Sequence, residues 1–139
     1  MSSETFWHLQ SALYAKLTEN SPLCAFLAAG AGSVYDSVPP DAAFPYIVIG
    51  AMQSAPEDTQ TTEAHDIRLT LHIYSREDGQ REAKRIMAAC ADALEDGALN
   101  VAGHVVVLCR QTGTVCGLAA DGRTRHAQME YRLMVEPVV

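Results

Sequence analysis

A chain of 139 residues with a net charge of −7 and 48% hydrophobic residues reads as one globular domain around one core. Its 10 basic residues are spread along the chain, the densest group being Arg81, Lys84 and Arg85 with Glu82 between them, which excludes a sequence-local basic stripe for nucleic-acid phosphates. The longest apolar run, 98–108, is broken by Asn100, Gly103 and His104, and MSSETFWHLQ lacks the features of a signal peptide, so the expectation is a protein made and kept in a cytosol, with no membrane partner.

Phe6, Leu9, Leu13 and Leu17 fall on one helical face, which predicts a helix over residues 4–18. Ser21-Pro22 reads as an N-cap followed by proline at the first helical position, opening a short helix over 23–29 that Gly30 and Gly32 stop. Val34-Tyr35 has room for a brief strand. The stretch VYDSVPPDAAFPYIVIG (34–50) then sets Pro39, Pro40 and Pro45 ahead of the strand-like Tyr46-Ile47-Val48-Ile49. Three prolines fix three φ angles and remove three donors, so neither a helix nor a central strand passes through them. The residues before them are held extended. A stiff connection therefore feeds a strand over 46–53.

Residues 54–64, SAPEDTQTTEA, read as a long solvated hairpin loop. Residues 65–74 alternate: Ile67, Leu69, Leu71 and Ile73 face one way, and Asp66, Arg68, Thr70, His72 and Tyr74 the other. That is a half-buried antiparallel strand. Gly79 delays the next helix to about Gln80; Ala83, Ile86, Met87, Cys90 and Leu94 form its apolar face, and Gly97 closes it. Residues 101–112 are strongly apolar, with Gly103-His104 as a bulge or kink near the start. Asp121-Gly122 is a hairpin-turn signal. Beyond it Ala127, Met129, Tyr131, Leu133 and Val135 alternate with polar residues until Pro137.

The order α-α-β-β-α-β-β predicts an α+β fold: a single antiparallel four-stranded sheet, with Val34-Tyr35 in reserve as an extra short strand, covered on one face by helices. The other face would carry Arg68, Thr70, His72, Gln128, Glu130 and Arg132 in rows, open to water or to another subunit.

No nucleophile elbow, zinc-protease helix, Walker loop or dinucleotide fingerprint is present. Gly30-Ala31-Gly32 reads as a helix stop. His65 and His72 lie on opposite faces of one strand, whereas His72 and His126 could share the polar face and meet Glu130 or Asp66 there as a three-ligand metal site; typical ligand spacing is absent, and scattered histidines on a wet face need no ligand. Glu57-Asp58 and Glu77-Asp78 are neighbours in solvated loops, where nothing pushes a carboxylate pair apart in pKa. Cys24, Cys90, Cys109 and Cys116 match no zinc pattern and sit among apolar residues, as small buried hydrophobes. The expectation is no catalytic residue, no cofactor and no metal.

The order of short motifs resembles the tail-completion, or tail-terminator, family of long-tailed, siphovirus-like phages, prophages and phage-derived gene transfer agents. In that family a helical N-terminus leads to a Val-Tyr-Asp turn, a Val-Pro segment and a Phe-Pro-Tyr lead into a strand. Here those positions are Val34-Tyr35-Asp36, Val38-Pro39-Pro40 and Phe44-Pro45-Tyr46. The next strand ends on Tyr74-Ser75-Arg76, and the final hairpin resembles residues 121–137. The resemblance runs through the chain as one domain, 1–139; residues 54–64 and 109–120 carry no matched motif.

The resemblance implies a non-enzymatic virion protein, made in the host cytoplasm. It would sit as a six-membered ring of this chain at the head-proximal end of the tail. Such a ring caps the tube, stops its polymerisation and joins it to the head connector or stopper protein, with double-stranded DNA passing through the lumen. Pro56, Glu57, Asp58, Thr59, Gln60, Thr61, Thr62 and Glu63 then become a candidate arm for a neighbouring subunit or the tail tube protein. Val38, Pro39, Pro40, Phe44, Pro45 and Tyr46 form the strand-leading motif, and the open sheet face becomes lumen or interface. An acidic ring would repel DNA phosphates, although acidic surfaces are also ordinary and prolines before a strand also discourage stray pairing. The alternatives are a head-completion or connector adaptor ring, a small-molecule-binding α+β dimer and a regulatory interaction module.

Overall fold

The computed structural model describes residues 3–56, 64–95 and 99–138. Helix α1 (Ser3–Thr18) keeps Leu9, Leu13 and Leu17 buried on its apolar side, as the periodicity predicts. The following helix α2 is a single turn, Ser21–Cys24, rather than a helix over 23–29. Its N-cap is Asn20, not Ser21: Leu23 N–H donates to Asn20 Oδ1 at 2.9 Å while the Asn20 backbone stays extended. A 3-10 turn, Gly30–Ser33, leads into strand β1 (Val34–Tyr35).

The described residues form one five-stranded sheet in the order β1-β2-β3-β5-β4, with β2 Tyr46–Pro56, β3 His65–Ser75, β4 His104–Leu118 and β5 Arg125–Pro137. It departs from the expected four antiparallel strands because the short strand is present and pairs parallel to β2, Val34 opposite Ile47 and Tyr35 opposite Val48. Parallel neighbours need a crossover instead of a tight turn, and the proline segment is that crossover. Its prolines withhold the N–H groups a returning antiparallel strand would need. The Phe44-Pro45 bond is cis, and Pro45 C=O accepts from Ala28 N–H at 3.1 Å.

Two strands run longer than expected. Residues 54–56 continue β2, with Ala55 opposite Asp66 and Pro56 opposite His65, so their loop-like composition misled. The remainder of the expected loop, residues 57–63, lies outside the described residues, as does Gly97. Strand β4 begins after a turn in which His104 N–H donates to Val101 C=O at 3.0 Å, and it runs past residue 112 to Leu118. Its register shifts fall between Val106 and Leu108 and between Gln111 and Gly113, rather than at Gly103-His104.

The core lies between one sheet face and the helices. Ile47, Ile49, Ile67, Leu71, Ile73, Met129, Leu133 and Val135 project from the sheet against α1, α2 and α3 (Arg81–Glu95). Helix α3 buries Ala83, Ile86, Cys90, Ala93 and Leu94, with Met87 half-buried. Of the four free cysteines only Cys90 is fully buried, which raises its thiol pKa to about 12; the other three are half-buried. No helix of the described residues is long and apolar enough to cross a membrane.

Leu71 sits on the central strand with no exposed surface. Leu71→Ala is expected to lower unfolding stability by about 2–5 kcal/mol through the cavity it leaves, measured by urea denaturation. A loss within the range of a surface substitution would mean that β3 is not the core strand.

Candidate functional site

Because β3 and β5 pair without a register shift, the polar positions of the two strands meet in rows on the face opposite the helices. Arg68 lies opposite Arg132, Thr70 opposite Glu130 and His72 opposite Gln128, so all six predicted face residues come together. β2 and β4 extend these rows: Tyr46, Tyr74, His126 and Gly117 make one, and Gln53, Arg68, Arg132 and Arg110 another.

The fold therefore gathers three arginines that are far apart in sequence, and the absence of a basic cluster in the chain does not carry over to the surface. Like charges directly opposite on a sheet repel. Asp66 relieves this by accepting two hydrogen bonds from Arg132, at 3.0 Å from Nε and 2.9 Å from Nη2. The bidentate bonds from Arg132, and the charge of that guanidinium and of Arg68, hold the Asp66 carboxyl below the usual carboxylate range despite some burial.

At the other end of the face the side chains are aromatic. Tyr74 stacks on His126 with centroids 4.5 Å apart and planes within 5°; His126 stacks on His72 at 5.1 Å; Tyr46 lies 5.3 Å from Tyr74. Phe44 and Tyr35 continue the cluster at 5.0 and 5.6 Å from Tyr46. Arg76 then covers Phe44 at 4.2 Å, donates from Nε to Thr124 Oγ1 at 3.3 Å and sits 4.0 Å from Asp121. Asp121 in turn accepts from Arg123 N–H, Thr124 N–H and Thr124 Oγ1–H, which pulls its carboxyl down to about 2. Gly122 at φ 69° completes the predicted turn.

One corner thus unites Tyr35, the Phe44-Pro45-Tyr46 lead, Tyr74-Ser75-Arg76 and the final hairpin turn. Val38 and Pro40 of the strand-leading motif are exposed, and Pro39 is half-buried. Of the candidate arm, Pro56 closes β2 and residues 57–63 lie outside the described residues.

His72 Nδ1 and His126 Nε2 are 2.8 Å apart, so one ring N–H donates to the other ring's lone pair. Asp66 is held by Arg132, and Glu130 lies one row away, so neither completes a cluster with the histidines. Among the described residues no group of three or more His, Cys, Asp or Glu converges in a metal-holding arrangement. Burial pushes both rings below the ordinary histidine range, and at His72 the neighbouring His126 lowers it further.

Sequence reading missed Gly50, which sits at the register shift of β2 beneath His72. A Cβ there would lie 2.7 Å from the His72 ring and 2.9 Å from the Thr70 carbonyl oxygen. The arginine row and the reach of Arg76 were equally hidden, since only strand pairing brings those residues together.

Gly50→Ala is expected to destabilise the fold by about 1–3 kcal/mol, because backbone as well as the His72 ring must move; an unchanged urea midpoint would contradict the packing. The histidine pair sets a pH dependence. Its depressed pKa values stabilise the fold fully above about pH 6.5, and that stability is lost as pH falls through the folded-state values. Asp66 and Asp121 act only at lower pH, their contribution disappearing as pH falls below the ordinary carboxylate range. Melting temperatures are therefore expected to fall between about pH 7 and pH 5, and His126→Gln to flatten the slope; a wild-type slope in the variant would contradict the pairing.

A family model described as "Tail completion protein gp17" matches residues 11–136. No curated protein matches the chain. Among solved structures, a chain from "Virion of native gene transfer agent (GTA) particle" is similar at 24% identity with a TM-score of 0.86, covering 97% of this chain and 99% of that one. The chain in "Structure of bacteriophage SPP1 gp17 protein" is similar at 23% identity with a TM-score of 0.61, covering 99% of this chain and 97% of that one. At these identities the structural likeness concerns the fold, which is the α+β sheet described above. The family match covers most of the chain, from within α1 to residue 136, the penultimate residue of β5, and on that basis the chain belongs to the tail completion protein gp17 family, whose members are structural proteins of the virion tail.

Proposed function

We propose that the protein caps the head-proximal end of the tail tube as a ring of six copies, stops tube polymerisation and joins the tail to the head connector. The observation that carries this reading is the family match over residues 11–136. The fold shared with a chain in a gene transfer agent virion, over 97% of this chain and 99% of that one, supports it.

The charge layout refines the reading. The open face carries Arg68, Arg110 and Arg132 against Asp66, Glu130 and Glu136, three cations and three anions in the registered rows. These six sum to zero, so the net charge of −7 is carried by other residues of the chain. A lumen that lets DNA slide is better served by the acidic remainder. The open face, with an aromatic corner and a balanced polar field, suits contact with a protein neighbour in the tail. DNA is then a passenger without sequence-specific contacts.

Deleting the gene in its source genome and imaging the particles by negative stain tests the role. The expected result is headless tails of uncontrolled length beside separate filled heads. Normal-length tails beside filled heads would favour the connector-adaptor alternative. Intact, infectious particles would contradict both.

A further inference from the structure

The two edges of the sheet differ in kind. β4 is one edge, with β5 as its strand neighbour, and it runs for 15 residues. Natural edges of that length are guarded by lysines, prolines, bulges or a covering element. β4 has its bulges, but it contains no proline and one charged residue, Arg110. Along it Val105, Val107, Val115 and Leu118 are 52, 53, 67 and 52% exposed.

The opposite edge is the two-residue β1, beside a groove of about 390 Å³ lined by Trp7, Gln10, Ser11, Tyr14, Tyr35 and Asp36 among others. Trp7 and Tyr14, seven residues apart on α1, are 61 and 45% exposed. Exposed tryptophan and tyrosine are the side chains that most often anchor protein interfaces. Asp36, which accepts from Gln10 Nε2 at 3.0 Å, is the anion of this groove.

An aliphatic margin with one cation thus lies at one edge of the sheet and an aromatic groove with one anion at the other. Because the two lie at opposite ends of one sheet, a contact between them is head-to-tail. Repeated, such a contact closes into a ring or continues as a helix, whereas β4 pairing with itself gives a two-fold dimer.

We propose that the β4 margin of one subunit seats in the Trp7–Tyr14 groove of a second copy of this chain, with Arg110 meeting Asp36 of that copy. This rests on the ring reading above and identifies its lateral contact.

Photo-cross-linking from Val115→benzoylphenylalanine tests it, in assembled particles and in parallel in the concentrated purified protein. The expected product is a ladder of multimers extending beyond the dimer, with the cross-linked partner peptide drawn from α1 or β1. A product that stops at a dimer joined β4 to β4 would overturn the proposal. So would a cross-link only to another tail protein, or none in either sample. Arg110→Glu, at an exposed position, is expected to lower the multimer yield roughly tenfold, and adding Asp36→Arg to restore it. A double variant no better than the single would overturn the Arg110–Asp36 pairing. The two readings fail separately. A ladder in solution from a protein absent from particles removes the tail placement and keeps the contact; protein seated in particles without a ladder removes the contact and keeps the placement.

Discussion

Ile67, Leu69, Leu71 and Ile73 must lie under the helices, and the rest of the molecule is arranged around that demand. They occupy alternate positions of β3, the central strand, and all are essentially without exposed surface. A slip of one residue against either neighbour would bury Arg68 and His72 and expose the leucines. Register is therefore fixed by burial on one face, and the pattern on the open face follows from it. The arginine row, the histidine pair and the tyrosine stack are all consequences of where four apolar side chains have to be.

The open face is divided in a way that suits a docking surface. One end is rigid and aromatic, with Arg76 tying the proline-led strand to the last hairpin turn. The other end is charged, with Asp66 holding Arg132 in place while Arg68 and Arg110 remain exposed. Aromatic pairs contribute about 0.5–1.5 kcal/mol each beyond their buried area, so the corner is stiff without drawing on the main core. A virion protein that must present a fixed surface to its neighbours benefits from such stiffness.

Much of this was legible in the chain wherever one face is buried and the other wet. α1, β3, α3 and β5 show their periods because each has a single apolar side, and the Asp121-Gly122 turn shows its chemistry directly. The six polar face residues could be listed from alternation alone. Elements governed by non-local pairing were not legible. Val34-Tyr35 reads as a short strand in reserve, but its parallel pairing with β2, which the proline crossover and not a local propensity imposes, has no signal in the segment itself. β4 alternates poorly because two register shifts interrupt it and both its faces are partly exposed. Residues 54–56 look like loop but are held by β3. The room that Gly50 leaves for His72 and the meeting of Arg68, Arg110 and Arg132 depend on three-dimensional register, which no single segment encodes.

The placement of the protein at the junction between head and tail can be read most directly by immunogold labelling of intact particles, with antibody raised against the purified chain. The account predicts gold confined to the head–tail junction, one cluster per particle. Gold distributed along the tube, or at its distal tip, would contradict the proposed role.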